Sequence, residues 1–536
     1  MSSHDSPFAD KFGTNYVPSD LEMDQLRALL VEPIAELALV DAQIDELDVL
    51  VRQLKGKRAS LQTRIDVHAA LMSPFRRIPQ DVLGEIFSAC LPTMHNALID
   101  PGEAPMLLGR ICRHWRDVAY STPRLWSSLH IPPVTGRFEQ LDSHDPPNID
   151  DRLEKFVEAW LDRSASCPLS ISISRGPYDS DIGPSGTTPG TIRQLIRVAG
   201  RLCHLSICTH LSEIRPLLLF GREDLPCLRS IHIQAPSDPN ELLDGVPILQ
   251  IPNLHQISLH ASTDALTLPL RWSELTDLSL ECFPIWVDNS AHNSPNPGGL
   301  DQNGAQDLLR RCPNLVRCHL QATTYAPFIG GSTVIVPHLK ALSLSDEFDS
   351  AQFMQSLDLP SLRYLGIGGG GPGTPSLRSI QSSMHGLTLE LRNSCRLPED
   401  GLVDLLNLLR GVSRVRLPRT TRIRLPNHLA MVISLDDEFL ARLSPKPTHT
   451  VSPALTHIEF GICDFSDIAL LDFIRARMAT GNPLRRIEAI LPRAMDIDIP
   501  SELHPFISTG LQVDLKYEFR TWDLDVRDGL SEMGCF

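Results

Sequence analysis

The sequence predicts a mixed fold, in which an all-α N-terminal part is followed by an irregular α/β repeat solenoid. Apolar residues recur at alternating steps of three and four in residues 33–72, and two short amphipathic helices follow. The pattern apolar-x-x-apolar-x-apolar then recurs ten times between residues 202 and 460. The 536 residues exceed the roughly 250–300 that one hydrophobic core usually serves, so several domains are expected.

The composition argues against several classes of function. With 49 Lys+Arg against 65 Asp+Glu, the net charge of −16 is opposite to that of proteins that bind nucleic acids or anionic membranes. No apolar run approaches the ~18 residues of a membrane span, and the N-terminus lacks a signal-peptide pattern. We therefore expect an intracellular protein, cytoplasmic and/or nuclear, and no membrane partner.

Residues 1–32 are predicted to be mostly a disordered tail, and residues 33–72 a coiled-coil helix that begins at Pro33. Its seam follows the heptad spacing and is interrupted by Arg58 and His68. The seam positions are Leu37, Val40, Ile44, Leu47, Val51, Leu54, Arg58, Leu61, Ile65, His68 and Met72. Either two such helices pair, or one packs on its own chain.

The charges of this helix are segregated along its length. Six acids and no base lie in residues 32–48, and five bases and no acid lie in residues 52–64. This arrangement complements the helix dipole, which alone could explain it. It would also favour an antiparallel homodimer, in which each acidic half meets a basic half.

Residues 73–131 form the next unit. A run bounded by Pro74 and Pro79 precedes an amphipathic helix over 80–91, a polar loop, and a second helix over 106–120. Pro123-Arg124-Leu125-Trp126 closes the unit. About 60 residues give only a marginal core, which a partner helix would help to cover.

Three separated segments of this unit resemble the F-box, and more narrowly the F-box proteins expanded in mushroom-forming fungi. They are Ile78-Pro79-x-x-Val82-Leu83-x-x-Ile86-Phe87, Ile111-Cys112-Arg113-His114-Trp115-Arg116-Asp117-Val118-Ala119 and Pro123-Arg124-Leu125-Trp126. The resemblance implies docking on a Skp-family adaptor and, through it, on a cullin. It implies that the adaptor-binding residues are Ile78, Pro79, Val82, Ile86, Phe87, Ile111, Cys112, Trp115 and Trp126.

Residues 132–165 are predicted to be a linker and short helix, residues 166–520 a leucine-rich-repeat-like solenoid, and residues 521–536 a C-terminal tail. The ten repeat segments start 21 to 28 residues apart, except for two steps of 40 and 43, and most fit the 20–29 window of leucine-rich repeats. The segments are 202–207, 228–233, 254–259, 275–280, 315–320, 339–344, 362–367, 384–389, 412–417 and 455–460.

Polar residues alternate with the apolar positions of these predicted strands. The strand period of two should expose them together on one wall, where they would bind an unknown protein target. The wall could equally be only solvated, with capture done by loops. The predicted target-binding residues are Ser230, His232, Gln256, Ser258, His260, Asp277, Ser279, Arg317, His319 and Ser343.

The sequence indicates no catalysis, so the prediction includes no catalytic residue, no metal and no cofactor. Gly366-x-Gly368-x-x-Gly371 matches a dinucleotide fingerprint, but Pro372 follows where a helix should open, which favours a repeat loop. The histidines lack metal-ligand spacing. The leading hypothesis is a substrate receptor of an SCF-type cullin–RING ubiquitin ligase. A scaffold without a ubiquitylation role and an enzyme with a hidden site are the alternatives.

Overall fold

The computed structural model describes residues 6–72, 74–132, 149–174, 189–235, 243, 245–286, 295–296, 298–346, 350–368, 386–391, 403, 406, 411–417, 435–445 and 451–517. The chain divides into two compact units, residues 1–83 and 84–536. The fold is mixed: a long N-terminal helix in the first unit, and a large parallel sheet with helices in the second.

The first unit is dominated by α1, Asp20–Leu71. It begins with a capping box. The Ser19 side chain accepts the backbone N–H of Glu22, and the Glu22 carboxylate accepts the Ser19 N–H at 2.8 Å. Tyr16 also donates to Glu22 at 2.9 Å. The prediction that residues 1–32 are mostly disordered and that the helix begins at Pro33 was therefore wrong, because a stronger start signal lies upstream and Pro33 is inside the helix.

Shorter helices occur between the strands of the second unit. Asp301 illustrates how they begin: its carboxylate accepts the Gly304 N–H at 2.7 Å and caps the following helix. The helices after α1 are α2 Gln80–Ala89, α3 Leu108–Ile111, α4 Arg113–Tyr120, α5 Ile149–Arg163, α6 Pro189–Arg197, α7 Leu211–Leu218, α8 Gln302–Arg311, α9 Ser350–Gln355, α10 Asp437–Leu443, α11 Asp467–Met478, α12 Ile499–Glu502 and α13 His504–Ile507.

The strands pair in chain order. Within the described residues, fourteen form one sheet in the order β1-β2-β3-β4-β5-β6-β9-β11-β13-β14-β15-β16-β17-β18, all with parallel pairing. The strands are β1 Ser128–Ile131, β2 Leu169–Ser174, β3 Leu202–Cys208, β4 Ser230–Gln234, β5 Gln256–Ser262, β6 Asp277–Phe283, β7 Ile285–Trp286, β8 Pro295–Asn296, β9 Arg317–Ala322, β10 Val334–Ile335, β11 Ala341–Asp346, β12 Leu357–Asp358, β13 Tyr364–Ile367, β14 Leu387–Leu391, β15 Val412–Arg416, β16 His457–Ile462, β17 Arg486–Leu491 and β18 Gln512–Tyr517.

The core lies on one side of this sheet. In β4 Ile231 and Ile233 are buried, whereas His232 between them is partly exposed. The connecting segments bury their apolar side chains as well, as Leu308 and Leu309 of α8 do. The opposite side of each strand therefore carries the polar residues.

All ten predicted repeat segments contain a strand of the large sheet. The sheet starts earlier than expected, because β1 lies inside the segment 73–131 and pairs with β2. The predicted helix over 106–120 is broken at Cys112, whose backbone is extended (φ −157°, ψ 171°). Most of the linker 132–148 and the C-terminal tail lie outside the described residues.

Candidate interaction surfaces

The segment of residues 73–131 that resembles the F-box, called the F-box-like segment from here on, contains large buried side chains. Phe87 and Trp126 are fully buried. The Phe87 ring lies 4.9 Å from that of Trp115, and Trp126 lies edge-on to Trp160 at 4.7 Å. The Trp126 Nε1–H donates to the Ala119 carbonyl at 2.8 Å, which satisfies its polar atom. Phe87 and Trp126, which the resemblance assigns to adaptor contact, are core residues in this structure.

Other predicted adaptor-binding residues are accessible. Val82 is 47% exposed and Ile86 38% exposed, one turn apart on α2, and Ile111 at the end of α3 is 56% exposed. Pro79 and Cys112 are exposed, and Ile78 and Trp115 are half-buried. Exposed large apolar side chains in so short a segment are typical of an interaction site.

Cys112 has a local structural role. Its extended backbone ends α3, and its Sγ accepts the Trp115 N–H at 3.4 Å, so that it caps α4. This is why the helical pattern seen in the sequence is interrupted here.

The predicted target-binding residues lie on the polar face, which we define as the partly exposed side of strands β1–β18 of the large sheet. Parallel in-register pairing places neighbours about 4.8 Å apart along three rows, the third of which contains Gln234, His260 and Glu281. The first row contains His204, Ser230, Gln256, Asp277 and Arg317. The second contains Ser206, His232, Ser258, Ser279, His319 and Ser343.

Two predicted members are not accessible. His319 and Ser343 are buried although they belong to the second row. Ser343 lies beside Gly366, where an added Cβ would approach its Oγ to 2.6 Å. Gly366 is thus a strand residue that allows close packing, and not part of a loop as the sequence suggested; Gly371 lies outside the described residues.

Glu281 was not among the predicted residues, yet it organises the middle of the polar face. Its carboxylate oxygens contact His260 Nδ1 at 2.5 Å and His319 Nε2 at 3.0 Å. Burial would raise the pKa of Glu281, but the bonds from the two histidines outweigh it and hold the pKa below its usual range. Glu281 occupies the next alternate position after Asp277 and Ser279, which is the sequence signal that could have found it.

Asp277 makes a second polar group on the same strand. It accepts from Gln256 Nε2 at 3.2 Å and pairs with Arg317 Nε. Three of the predicted residues, on three neighbouring strands, therefore form one connected network. Their side chains are held in place before any partner arrives, which lowers the entropy cost of binding.

A cavity of about 480 Å³ lies over the first four strands. Its lining contains histidines, serines and Asn96, and no Lys, Arg, Asp or Glu. Burial lowers the pKa of His130 and of His232 to about 4, with the charge of His95 adding to the effect at His130. Both imidazoles are therefore neutral at pH 7, and they can take part in hydrogen bonds at this end of the polar face.

The far end of the polar face is charged. Arg416 lies 3.6 Å from Glu390 and 3.0 Å from Glu459, its neighbours in register on either side. A second cavity of about 290 Å³ is lined there by Arg414, Arg416, Glu459 and Glu488 among others. These residues lie beyond Ser343, the last residue of the predicted target-binding set.

Within the described part of the chain, no three His, Cys, Asp or Glu side chains are grouped so that they could hold a metal ion. The search of the described helices for a membrane span found none with the necessary length and apolarity. Compared with models of known protein families and with curated proteins, the chain matches none of them.

Proposed function

We propose that this protein is a substrate receptor of an SCF-type cullin–RING ubiquitin ligase. In this proposal the F-box-like segment docks on a Skp-family adaptor, and the polar face captures a protein target. The observation that carries the proposal is the exposure of Ile86 and Ile111, two apolar residues of the segments that resemble the F-box.

The repeat architecture supports the second half of the proposal. We propose that the sheet of residues 128–517 is a leucine-rich-repeat solenoid, because its strands follow chain order, pair in parallel and alternate with helices or 3-10 turns. Solenoids of this kind present an extended surface for protein binding.

The accessible residues of the polar face differ slightly from the predicted target-binding residues. Eight of the ten predicted residues are partly exposed, and His319 and Ser343 are excluded by burial. Glu281 and the charged group around Arg416 extend the surface. A target would meet neutral hydrogen-bonding groups over β1–β4 and paired charges over β14–β17.

The adaptor-binding half can be tested with one double variant. Ile86→Ala with Ile111→Ala removes two exposed apolar side chains and should leave the core intact. Burying such a side chain at an interface contributes about 1.5–3 kcal/mol, so adaptor affinity should fall about tenfold or more. Isothermal titration of the full chain with purified Skp-family adaptor measures this.

Ile468→Ala is the matched control, since Ile468 is 63% exposed on α11, away from the F-box-like sequence. It should bind adaptor like the unmodified protein. Equal affinity of the double variant and the control would show that Ile86 and Ile111 are not adaptor contacts. Failure of the unmodified chain to bind any Skp-family adaptor would refute the proposed function itself.

A further inference from the structure

Helix α1 carries an apolar stripe that is exposed in the part of the chain that the structure describes. Every residue from Arg27 to Ala69 is exposed. The stripe includes Leu37, Ile44, Leu47, Leu54 and Ile65, each about half exposed or more. A single helix gains most of its stability from packing an apolar face, so a helix of 52 residues with this stripe requires a partner.

The heptad pattern is longer than the predicted seam from Leu37 to Met72. Because α1 begins at Asp20, the seam extends upstream through Met23, Leu26 and Leu30, with Pro33 at the next seam position. Several seam positions are flanked by charged residues that would face the partner helix, among them Glu36, Asp41, Lys55 and Arg64. These flanking charges can distinguish the direction and register of pairing.

We propose that α1 pairs with a second copy of itself in the antiparallel direction, with Leu47 facing Val51 of the partner subunit. In that register Ile44 faces Leu54 of the partner subunit and Leu37 faces Leu61 of the partner subunit, so apolar residues meet at these seam layers. Val40 lies between them and faces Arg58 of the partner subunit. This proposal is independent of the proposed ligase function.

The flanking charges favour this arrangement. Glu36 meets Arg64 of the partner subunit and Asp41 meets Lys55 of the partner subunit, and the two-fold symmetry repeats each pair. Asp48 faces Asp48 of the partner subunit, which is the one like-charged pair among these flanking positions. In a parallel pair, by contrast, Glu36 would face Asp41 of the partner subunit twice.

Charge reversal at one position separates the two directions. Glu36→Lys turns two attractive contacts of the antiparallel dimer into repulsive ones, so its dissociation constant should rise about tenfold. In a parallel dimer the same change would remove repulsion and tighten binding. Glu36→Lys combined with Arg64→Glu restores opposite charges and should return the affinity to near its original value.

The measurement is sedimentation equilibrium of the full chain at low and high salt. Glu46→Lys is the matched control, because the same charge change falls on the side of α1 away from the seam. We expect a dimer whose dissociation constant rises with salt. The Glu46→Lys variant should have the same dissociation constant as the unmodified protein. A monomer at tens of micromolar in low salt, tighter association of Glu36→Lys, or equal effects of Glu36→Lys and Glu46→Lys would each overturn the proposal.

Discussion

Asp467 joins three separate parts of the chain through one carboxylate. It is 1% exposed, and its oxygens accept the backbone N–H groups of Asp496 at 2.7 Å and Ile497 at 2.9 Å and the Tyr517 hydroxyl at 2.9 Å. Arg493 pairs with the same carboxylate. The first turn of α11, the segment after β17 and the last described strand are thereby held together.

This carboxylate should make the last strand sensitive to acid. Burial would raise the pKa of Asp467, but the Arg493 pair and the other donors lower it from 3.8 to about 2. Because the folded-state pKa is lowered, the stabilisation is complete above pH 4 and is lost as the pH falls from about 4 to 2. The shift corresponds to about 2 kcal/mol at neutral pH.

Hydrogen exchange at the amides of β18 measures the free energy of local opening of this strand. It therefore does not require the whole chain to unfold in one two-state transition. Asp467→Asn is the control, since its amide does not ionise. The free energy of local opening of β18 should be higher in the unmodified protein than in the variant. This difference should shrink by about 2 kcal/mol between pH 5 and pH 2. A difference that does not change with pH would mean that Asp467 is not ionised or not bonded as the structure shows.

Single-residue roles were the hardest to predict from the sequence. Glu281 lies outside the apolar pattern, and only the register of β5 with β6 brings it to His260. Phe87 and Trp126 match F-box positions, but the sequence alone could not tell a core aromatic from an exposed one. Gly366 fits both a loop and a tightly packed strand until its neighbour Ser343 is known.

At the scale of elements, α1 contains one residue that weakens it without evident compensation. Gly56 is in the helix interior, and an added Cβ would meet nothing within 4 Å. Gly56→Ala should therefore stabilise the helix by about 1 kcal/mol. The expected result is a higher helix content by circular dichroism and a higher melting temperature for that helix.

Ala42→Gly makes the reverse change two heptads earlier, at the equivalent outward position. It should lower helix content by a similar amount. If neither substitution changes the helical signal, the region around Gly56 is not helical in solution and the length of α1 is wrong.

The strands could be predicted better than the helix boundaries. The apolar-x-x-apolar-x-apolar pattern directly reflects a strand with one buried side, so all ten matches are strands. β17 was missed because its pattern ends on Ala489, and β1 because its match, Trp126-x-x-Leu129-x-Ile131, lies in the segment 73–131 that was assigned to the F-box-like unit. Helix ends depended on Ser19 and Cys112, whose capping bonds override the apolar spacing.

At the scale of the whole molecule, the proposals assign three tasks to different parts of the chain. α1 would join two copies, the F-box-like segment would hold an adaptor, and the polar face would hold a target. A net charge of −16 is compatible with a protein partner for each and argues against nucleic acid. A scaffold could share the first and third tasks, so adaptor and cullin binding is the distinguishing property.

The central claim is tested most directly by assembling the complex from purified components. The full chain is mixed with a Skp-family adaptor and a cullin, and the mixture is analysed by gel filtration with light scattering. The account predicts one complex that contains all three proteins and that is lost when Ile86→Ala and Ile111→Ala are combined. Elution of the full chain apart from an intact adaptor–cullin complex would contradict it.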